Sequence, residues 1–240
     1  MTQPQTLQAI VFRERVYLVC AAIFITSLVT GNLIFQKFFF WTINVFGWEY
    51  TFEISVGILP YPVTFLVTDI VSEIYGSRRA NQLVVSGFIA NLFMMLIVLI
   101  ALAVPQTVWS PVSSETFVQV FGLSPAAVFA SICAYLIAQL LDVRLFHFWK
   151  RLTNGNHLWL RNNASTICSQ FVDTFTVITL LCIFGVIEWN RFEALVANGF
   201  FFKVIMALLD TPIIYAVVWY LRKKMHLKPG EELPHDQVLA

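Results

Sequence analysis

Charge is scarce in this chain. Only 12% of its 240 residues are Asp, Glu, Lys or Arg, against roughly 25% in an ordinary soluble domain, while 58% are hydrophobic and the mean hydropathy is +0.75. Too little polar surface remains to coat a water-soluble globule, so composition predicts an integral membrane protein. The formal net charge is +1 and the longest basic tract is Arg222-Lys223-Lys224, so no nucleic-acid partner is expected. Cysteine is scarce too. Cys20, Cys133, Cys168 and Cys182 sit in apolar runs without CxxC or Cys/His spacing, which argues against a disulfide framework and a zinc site. HExxH, a Walker-type glycine loop and CxxCH are all missing, so no metal and no cofactor is expected. His147, His157, His226 and His235 fall at or beyond the edges of the apolar runs, out of reach of serines in mid-run, which disfavours a Ser/His nucleophile. Paired aspartates could share a proton as a proteolytic dyad, but the Tyr-Asp and Gly-x-Gly-Asp contexts of intramembrane aspartyl proteases do not occur. No catalytic residues are assigned, and an enzyme is not expected. The segment MTQPQTLQAIVFRERVYLVC lacks a small-residue cleavage site, so the first apolar run reads as a retained helix.

Long apolar runs are abundant. A bilayer core about 30 Å thick needs about 20 helical residues. Six segments meet that need, at roughly 16–39, 56–75, 80–104, 126–148, 164–187 and 200–221. The fold class predicted is an all-α integral membrane protein with six transmembrane helices. These form a single domain over residues 1–225, followed by a flexible polar tail over 226–240. Between the first two runs, WTINVFGWEYTFEISVGI alternates and is rich in aromatic and β-branched residues, which suits a short hairpin or an interfacial segment. With the N-terminus inside, twelve basic residues (Arg13, Arg15, Arg78, Arg79, Arg144, Lys150, Arg151, Arg161, Arg222, Lys223, Lys224, Lys228) face the cytoplasm and three (Lys37, Arg191, Lys203) face out. That bias predicts cytoplasmic termini.

Polar groups inside the apolar runs carry the functional signal, because a charge at membrane depth costs about 2.5–3.5 kcal/mol on insertion scales. The first run holds Asn32 and Gln36 on one face, the second Asp69 and Glu73, the third Asn91. The fourth holds Gln139 and Asp142, with Arg144 at its inner end. The fifth opens RNNASTICSQFVDT, which sets Arg161 and Asn162 ahead of Ser165, Thr166, Ser169, Gln170 and Asp173; the sixth holds Lys203 and Asp210. Glu73 reads equally well as an interfacial ion pair with Arg78, Arg79 or Arg144 and as a ligand contact. Asp142 and Arg144 are equally open between structural pairing and function. Ser165, Thr166 and Ser169 favour hydrogen bonding between helices. Asp173 and Asp210 have no basic residue within a turn, so each is protonated, paired across the bundle, or turned to water or substrate. Carboxylates and carboxamides spread over several helices among aromatic rings suit a small polar or cationic solute. A guanine-like base is one candidate among many, since one carboxylate can accept both its N1–H and its exocyclic amino group.

YPVTFLVTDIVSEIYG (61–76) resembles the (F/Y)P-x-x-(F/Y)-x-x-TD-x-x-x-E-x-YG signature of the YhhQ-type queuosine precursor transporters, also described as vitamin-uptake-transporter-like. AQLLDVRLFHFWK, LWLRNNASTICSQFVDT and FKVIMALLDTPIIY agree in order and spacing, so the resemblance covers about residues 30–215. It implies import of 7-cyano-7-deazaguanine, and of 7-aminomethyl-7-deazaguanine, across the bacterial inner membrane. It also implies a fold similar to the substrate-binding components of energy-coupling-factor transporters. Carried onto this chain, the family positions are Asn32, Asp69, Glu73, Gln139, Asp142, Arg161, Asn162, Ser169, Gln170, Asp173, Lys203 and Asp210, and the motif does not divide them by role. Of these, Asn32, Asp69, Gln139, Ser169, Gln170, Asp173, Lys203 and Asp210 are read here as contacts to a purine-like substrate, and Glu73, Asp142, Arg161 and Asn162, with Arg144, as structural or coupling residues. In this reading Asp173 or Asp210 grips the base, Gln170 and Gln139 flank it, and Asp69 neutralises an aminomethyl cation or carries a coupling proton. The alternative is a substrate-binding subunit of a multi-component ATP-driven vitamin importer. Homo-oligomerisation and an energising partner are left open, and the lipid bilayer is the one certain surrounding.

Overall fold

A computed structural model gives the fold and describes residues 7–45, 47–122 and 125–233. Six α-helices dominate it: α1 (Leu7–Ile34), α2 (Tyr61–Ala103), α3 (Ser114–Phe121), α4 (Pro125–Leu152), α5 (Leu158–Ile183) and α6 (Phe192–Met225). The exception to an all-α chain is a hairpin of β1 (Phe38–Val45) and β2 (Trp48–Ser55), antiparallel with Phe38 opposite Ser55 and Trp41 opposite Phe52. It falls where the alternating aromatic stretch predicted a hairpin or an interfacial segment. Its inward residues Phe52 and Ile54 pack on Phe202 of α6.

The helices are inverted relative to a soluble protein. Leu18 of α1, Phe93 of α2 and Leu208 of α6 are each more than half exposed, whereas Asp69, Glu73, Asp142 and Arg161 are at most 2% exposed. A helix set that is apolar outside and charged inside matches lipid as its surroundings. Five helical stretches are long and apolar enough to cross a membrane, and the second, Val56–Ala103, covers two of the six predicted runs.

Gly76 accounts for the difference. Its φ of +80° and ψ of 173° interrupt α2, a conformation that glycine reaches without a Cβ penalty. Contacts with α1 on either side give the direction of the two halves. Before the break, Pro60 lies beside Gly31, and the Tyr75 hydroxyl donates to the Arg13 carbonyl. After it, the Tyr17 hydroxyl donates to the Arg79 carbonyl, and Asn32 donates to Asn91 at 2.7 Å. The chain therefore runs down α1 from Gly31 to Arg13 and, past Gly76, back up to Asn32.

The start of α1 and the last described residues lie at one end of the bundle, the tail end; the β-hairpin marks the other. The expected flexible tail is instead docked as far as it is described: the Leu233 amide donates to the Ile74 carbonyl at 2.9 Å, and Leu233 is 3% exposed. Residues 234–240 lie outside the described residues.

At the hairpin end the turn Val56–Ile58 presses on α1. A Cβ at Gly57 would sit 2.6 Å from the Gly31 carbonyl oxygen and 2.7 Å from Phe35 Cβ. Backbone cannot yield as a side-chain tip can, so Gly57→Ala should destabilise the protein by about 1–3 kcal/mol. An unchanged melting curve of the purified variant in detergent would contradict that contact.

Candidate functional site

Buried polar groups form three layers along the bundle axis. Nearest the hairpin, a cavity of about 170 Å³ opens between α1, the Val56–Ile58 turn and the adjoining parts of α2, α4, α5 and α6. Its walls are mostly apolar, with Leu28, Phe35, Phe38 and Val177 among them, and Asn32, Asp173 and Lys203 reach it from three different helices. Lys203 Nζ donates to Asp173 Oδ2 at 2.7 Å, and the Tyr61 hydroxyl donates to the same oxygen. The ammonium also lies 4.1 Å from the centre of the Tyr61 ring, a cation–π contact. Tyr135 meets Tyr61 edge to face at 5.8 Å. Asp173 Oδ1 and Thr174 Oγ1, both on cavity-lining residues, have no hydrogen-bond partner among the described residues. A buried acceptor left open in this way is uncommon and costly. The cavity wall thus contains a carboxylate with one oxygen unpaired among the described residues, next to an ammonium and aromatic rings.

The middle layer starts from Tyr135. Gln139 Nε2 donates to the Tyr135 hydroxyl at 2.8 Å, and Thr68 Oγ1 lies 3.4 Å from Gln139 Oε1. Beyond them Asp69 of α2 and Asp142 of α4 meet side chain to side chain. Ser169 Oγ donates to Asp142 Oδ1 at 2.9 Å, and Thr166 Oγ1 reaches Asp69 Oδ2 at 3.4 Å. The other oxygen of each, Asp69 Oδ1 and Asp142 Oδ2, has no donor among the described residues. Two ionised carboxylates about 4 Å apart repel by roughly 4 kcal/mol at an effective dielectric near 20.

The third layer closes the tail end. Glu73 is 1% exposed and is held by cations from three helices. Arg161 of α5 binds it through both oxygens, Nε to Oε2 at 3.1 Å and Nη2 to Oε1 at 2.6 Å. Lys150 of α4 lies 3.3 Å from Oε2, and Arg222 of α6 donates to Oε1. Lys150 also binds Glu232 of the docked tail at 2.9 Å, and Arg161 donates onward to the carbonyls of Gly155 and Asn156. The ion pair expected for Glu73 is present, with different partners. Arg79 pairs with Glu14 at 3.2 Å, while Arg78 and Arg144 are exposed.

Of the residues assigned to substrate, Asn32, Asp173 and Lys203 line the cavity. Gln139, Asp69 and Ser169 belong to the middle layer. Gln170 is buried, its Oε1 unpartnered among the described residues, and it does not line the cavity. Asp210 is half-buried on α6 and likewise stands outside the cavity wall. Among those assigned to structure or coupling, Glu73 and Arg161 join the ion cluster, Asp142 pairs with Asp69, and Asn162 is buried at 3% exposure. Sequence reasoning passed over Tyr61, Tyr135, Lys150 and Arg222. Tyr61 heads the signature stretch, and that position was its available signal. Lys150 and Arg222 counted there only as inward-facing positive charge.

Lipid-facing helices around stacked layers of buried charge, with a cavity at one end, define a multi-pass membrane protein with a polar interior. The chain belongs to the family described as “Putative vitamin uptake transporter”, which matches residues 55–217 and so includes the buried acids of all three layers, Asp173, Asp69, Asp142 and Glu73. It is 28% identical over 176 residues to a protein of Bacillus subtilis named “Probable queuosine precursor transporter”, covering 73% of this chain and 74% of that one. A protein of Haemophilus influenzae with the same name is 28% identical over 134 residues, 55% of this chain and 53% of that one. No solved structure matches the chain significantly.

Proposed function

We propose that this protein imports queuosine precursors, 7-cyano-7-deazaguanine first among them, across the bacterial inner membrane. The names of its relatives support the solute class, and the cavity chemistry supports the base. One observation carries the reading: Asp173, in the cavity wall, keeps Oδ1 without a donor among the described residues, beside the Lys203 ammonium. A guanine-like edge presents N1–H and the exocyclic amino group next to the O6 acceptor. Asp173 accepts from the first two, Lys203 donates to the third, and Tyr61 or Tyr135 covers a face of the ring. An adenine-like edge presents an acceptor and a donor in the opposite order, and it would leave Asp173 facing a lone pair.

The reading includes six membrane crossings, with the two halves of α2 counted separately, and a cytoplasmic tail end. Twelve basic residues against three support that orientation. The cavity then faces outward and the Glu73 cluster closes the cytoplasmic side, as an importer awaiting solute requires.

The test is a thermal-shift panel on the purified chain with 7-cyano-7-deazaguanine, 7-aminomethyl-7-deazaguanine, guanine, adenine and several vitamins. A ligand that binds only the folded state raises the melting temperature. The deazaguanines should raise it by several degrees and adenine should not. A response confined to a vitamin, or to none of the panel, would overturn the assignment.

A further inference from the structure

The contact between Asp69 and Asp142 is unexplained by a solute site in the layer nearer the hairpin. Both side chains are essentially inaccessible, at 2% and 0% exposure, and they come from α2 and α4 to meet each other. Each has one oxygen supplied with a hydroxyl, from Thr166 and Ser169 of α5, and one oxygen with no donor. No cation among the described residues is paired with either of them. The three buried cations among the described residues, Lys150, Arg161 and Lys203, are bound to Glu73 or Asp173.

Two ionised carboxylates in that setting would be acceptor against acceptor, both desolvated and both negative. A single proton resolves the conflict. It supplies a donor between the two carboxyl groups in an O–H···O bond and lowers the pair to one negative charge. Sodium would need more oxygens than these side chains turn inward, whereas a proton needs two.

We infer that Asp69 and Asp142 form a binding site for one exchangeable proton, and that its uptake and release are coupled to solute in the cavity. The coupling rests on the import reading above; the proton site does not. In one cycle a hydronium ion gives its proton to the pair, forming an O–H bond on one carboxylate. The same bond later breaks and the proton passes to water on the other side. Eight charged or titratable groups surround the pair. Glu73 of α2 lies one turn along, with Arg161 of α5, Lys150 of α4 and Arg222 of α6 bound to it. Toward the cavity are Tyr61 of α2, Tyr135 of α4, and Asp173 of α5 with Lys203 of α6 bound to it. Asp142 is near enough to both tyrosines to act on them electrostatically, and Thr68–Gln139–Tyr135 connects its surroundings to the cavity. Filling the cavity therefore changes the field at the pair, and charging the pair changes the field at the cavity.

Two measurements on the full chain in lipid vesicles test this. Infrared spectra at neutral pH should contain a protonated-carboxyl C=O band that alkaline titration removes. That band should vanish in Asp69→Asn and in Asp142→Asn alike and persist in Asp210→Asn. Since the wild-type band is read first, the inference stays falsifiable even if a variant does not fold. With the membrane potential clamped, a pH gradient of one unit, acid outside, should accumulate labelled 7-cyano-7-deazaguanine about tenfold for one proton per solute. Both asparagine variants should lose that accumulation. Absence of the band in the wild type, or its survival in both variants, overturns the proton site. Accumulation that follows a sodium gradient and ignores pH overturns the coupling. If the vesicles take up no deazaguanine at all, the import reading fails while the infrared result still decides the proton site.

Discussion

Glu73→Ala destabilises the protein by about 3–5 kcal/mol, the loss expected when one member of a buried charge cluster is removed and the others stay behind. The physical cause is what remains. Arg161 is 2% exposed and Lys150 7%, and neither can swing to water from the tail end of a packed bundle. Arg222 is 11% exposed and also donates to the carbonyls of Lys228 and Glu231, so it loses less. The partner substitutions should therefore rank, with Arg161→Ala the most harmful and Arg222→Ala the least. Arg161 brings two charge-assisted bonds to Glu73 and two more to the Gly155 and Asn156 carbonyls, which fixes the turn between α4 and α5. Denaturant unfolding of the purified variants measures the order. Equal, small losses at all four positions would mean that water reaches the cluster and that the tail end is open. A double variant, Glu73→Gln with Arg161→Met, should recover part of the single-variant loss because fewer charges are stranded.

How far such a cluster can be read from sequence follows from the same geometry. The lipid-length runs were legible because hydrophobicity is a property of each stretch by itself. The hairpin was legible as one of two readings, because the alternation within WTINVFGWEYTFEISVGI matches the pleat of a strand. Burial of acids was legible too, since a carboxylate in an apolar run has nowhere to go but inward. Partners were not. Spacing fixes which residues share a face of one helix, as for Lys203 and Asp210 seven apart on α6; it does not say which helix that face meets. In the fold Lys203 crosses to Asp173 on α5, and Asp210 is left on the flank. Glu73 likewise passed over the nearby Arg78 and Arg79. The reversal at Gly76 carries those arginines onto the returning half of α2, where Arg79 meets α1 through Tyr17 and Glu14. One glycine with a positive φ thus redirected the local pairing, and no periodicity in the sequence reports a dihedral angle.

Asp173→Asn abolishes binding of 7-cyano-7-deazaguanine, with an expected loss of at least about 100-fold, or roughly 2.7 kcal/mol. An amide can accept one bond where the carboxylate accepts two, and it places a donor against the N–H edge of the base. That substitution alone cannot separate function from folding, because it also strands the Lys203 ammonium at 8% exposure. The pair must be removed together. Lys203→Met keeps the length of the side chain and its packing over the Tyr61 ring while deleting the charge. Combined with Asp173→Asn it leaves no uncompensated charge, and replacing a whole buried ion pair by uncharged groups is often neutral for stability. The double variant should therefore melt near the wild type and still fail to bind, whereas each single variant should be less stable than the double. Calorimetry with 7-cyano-7-deazaguanine, read beside the melting curves, distinguishes the cases. If the stable double variant retained affinity, Asp173 and Lys203 would be a structural tie between α5 and α6, and the base would have to be held elsewhere in the polar column. If instead affinity disappears while stability returns, the two charges are kept in the membrane for what they bind.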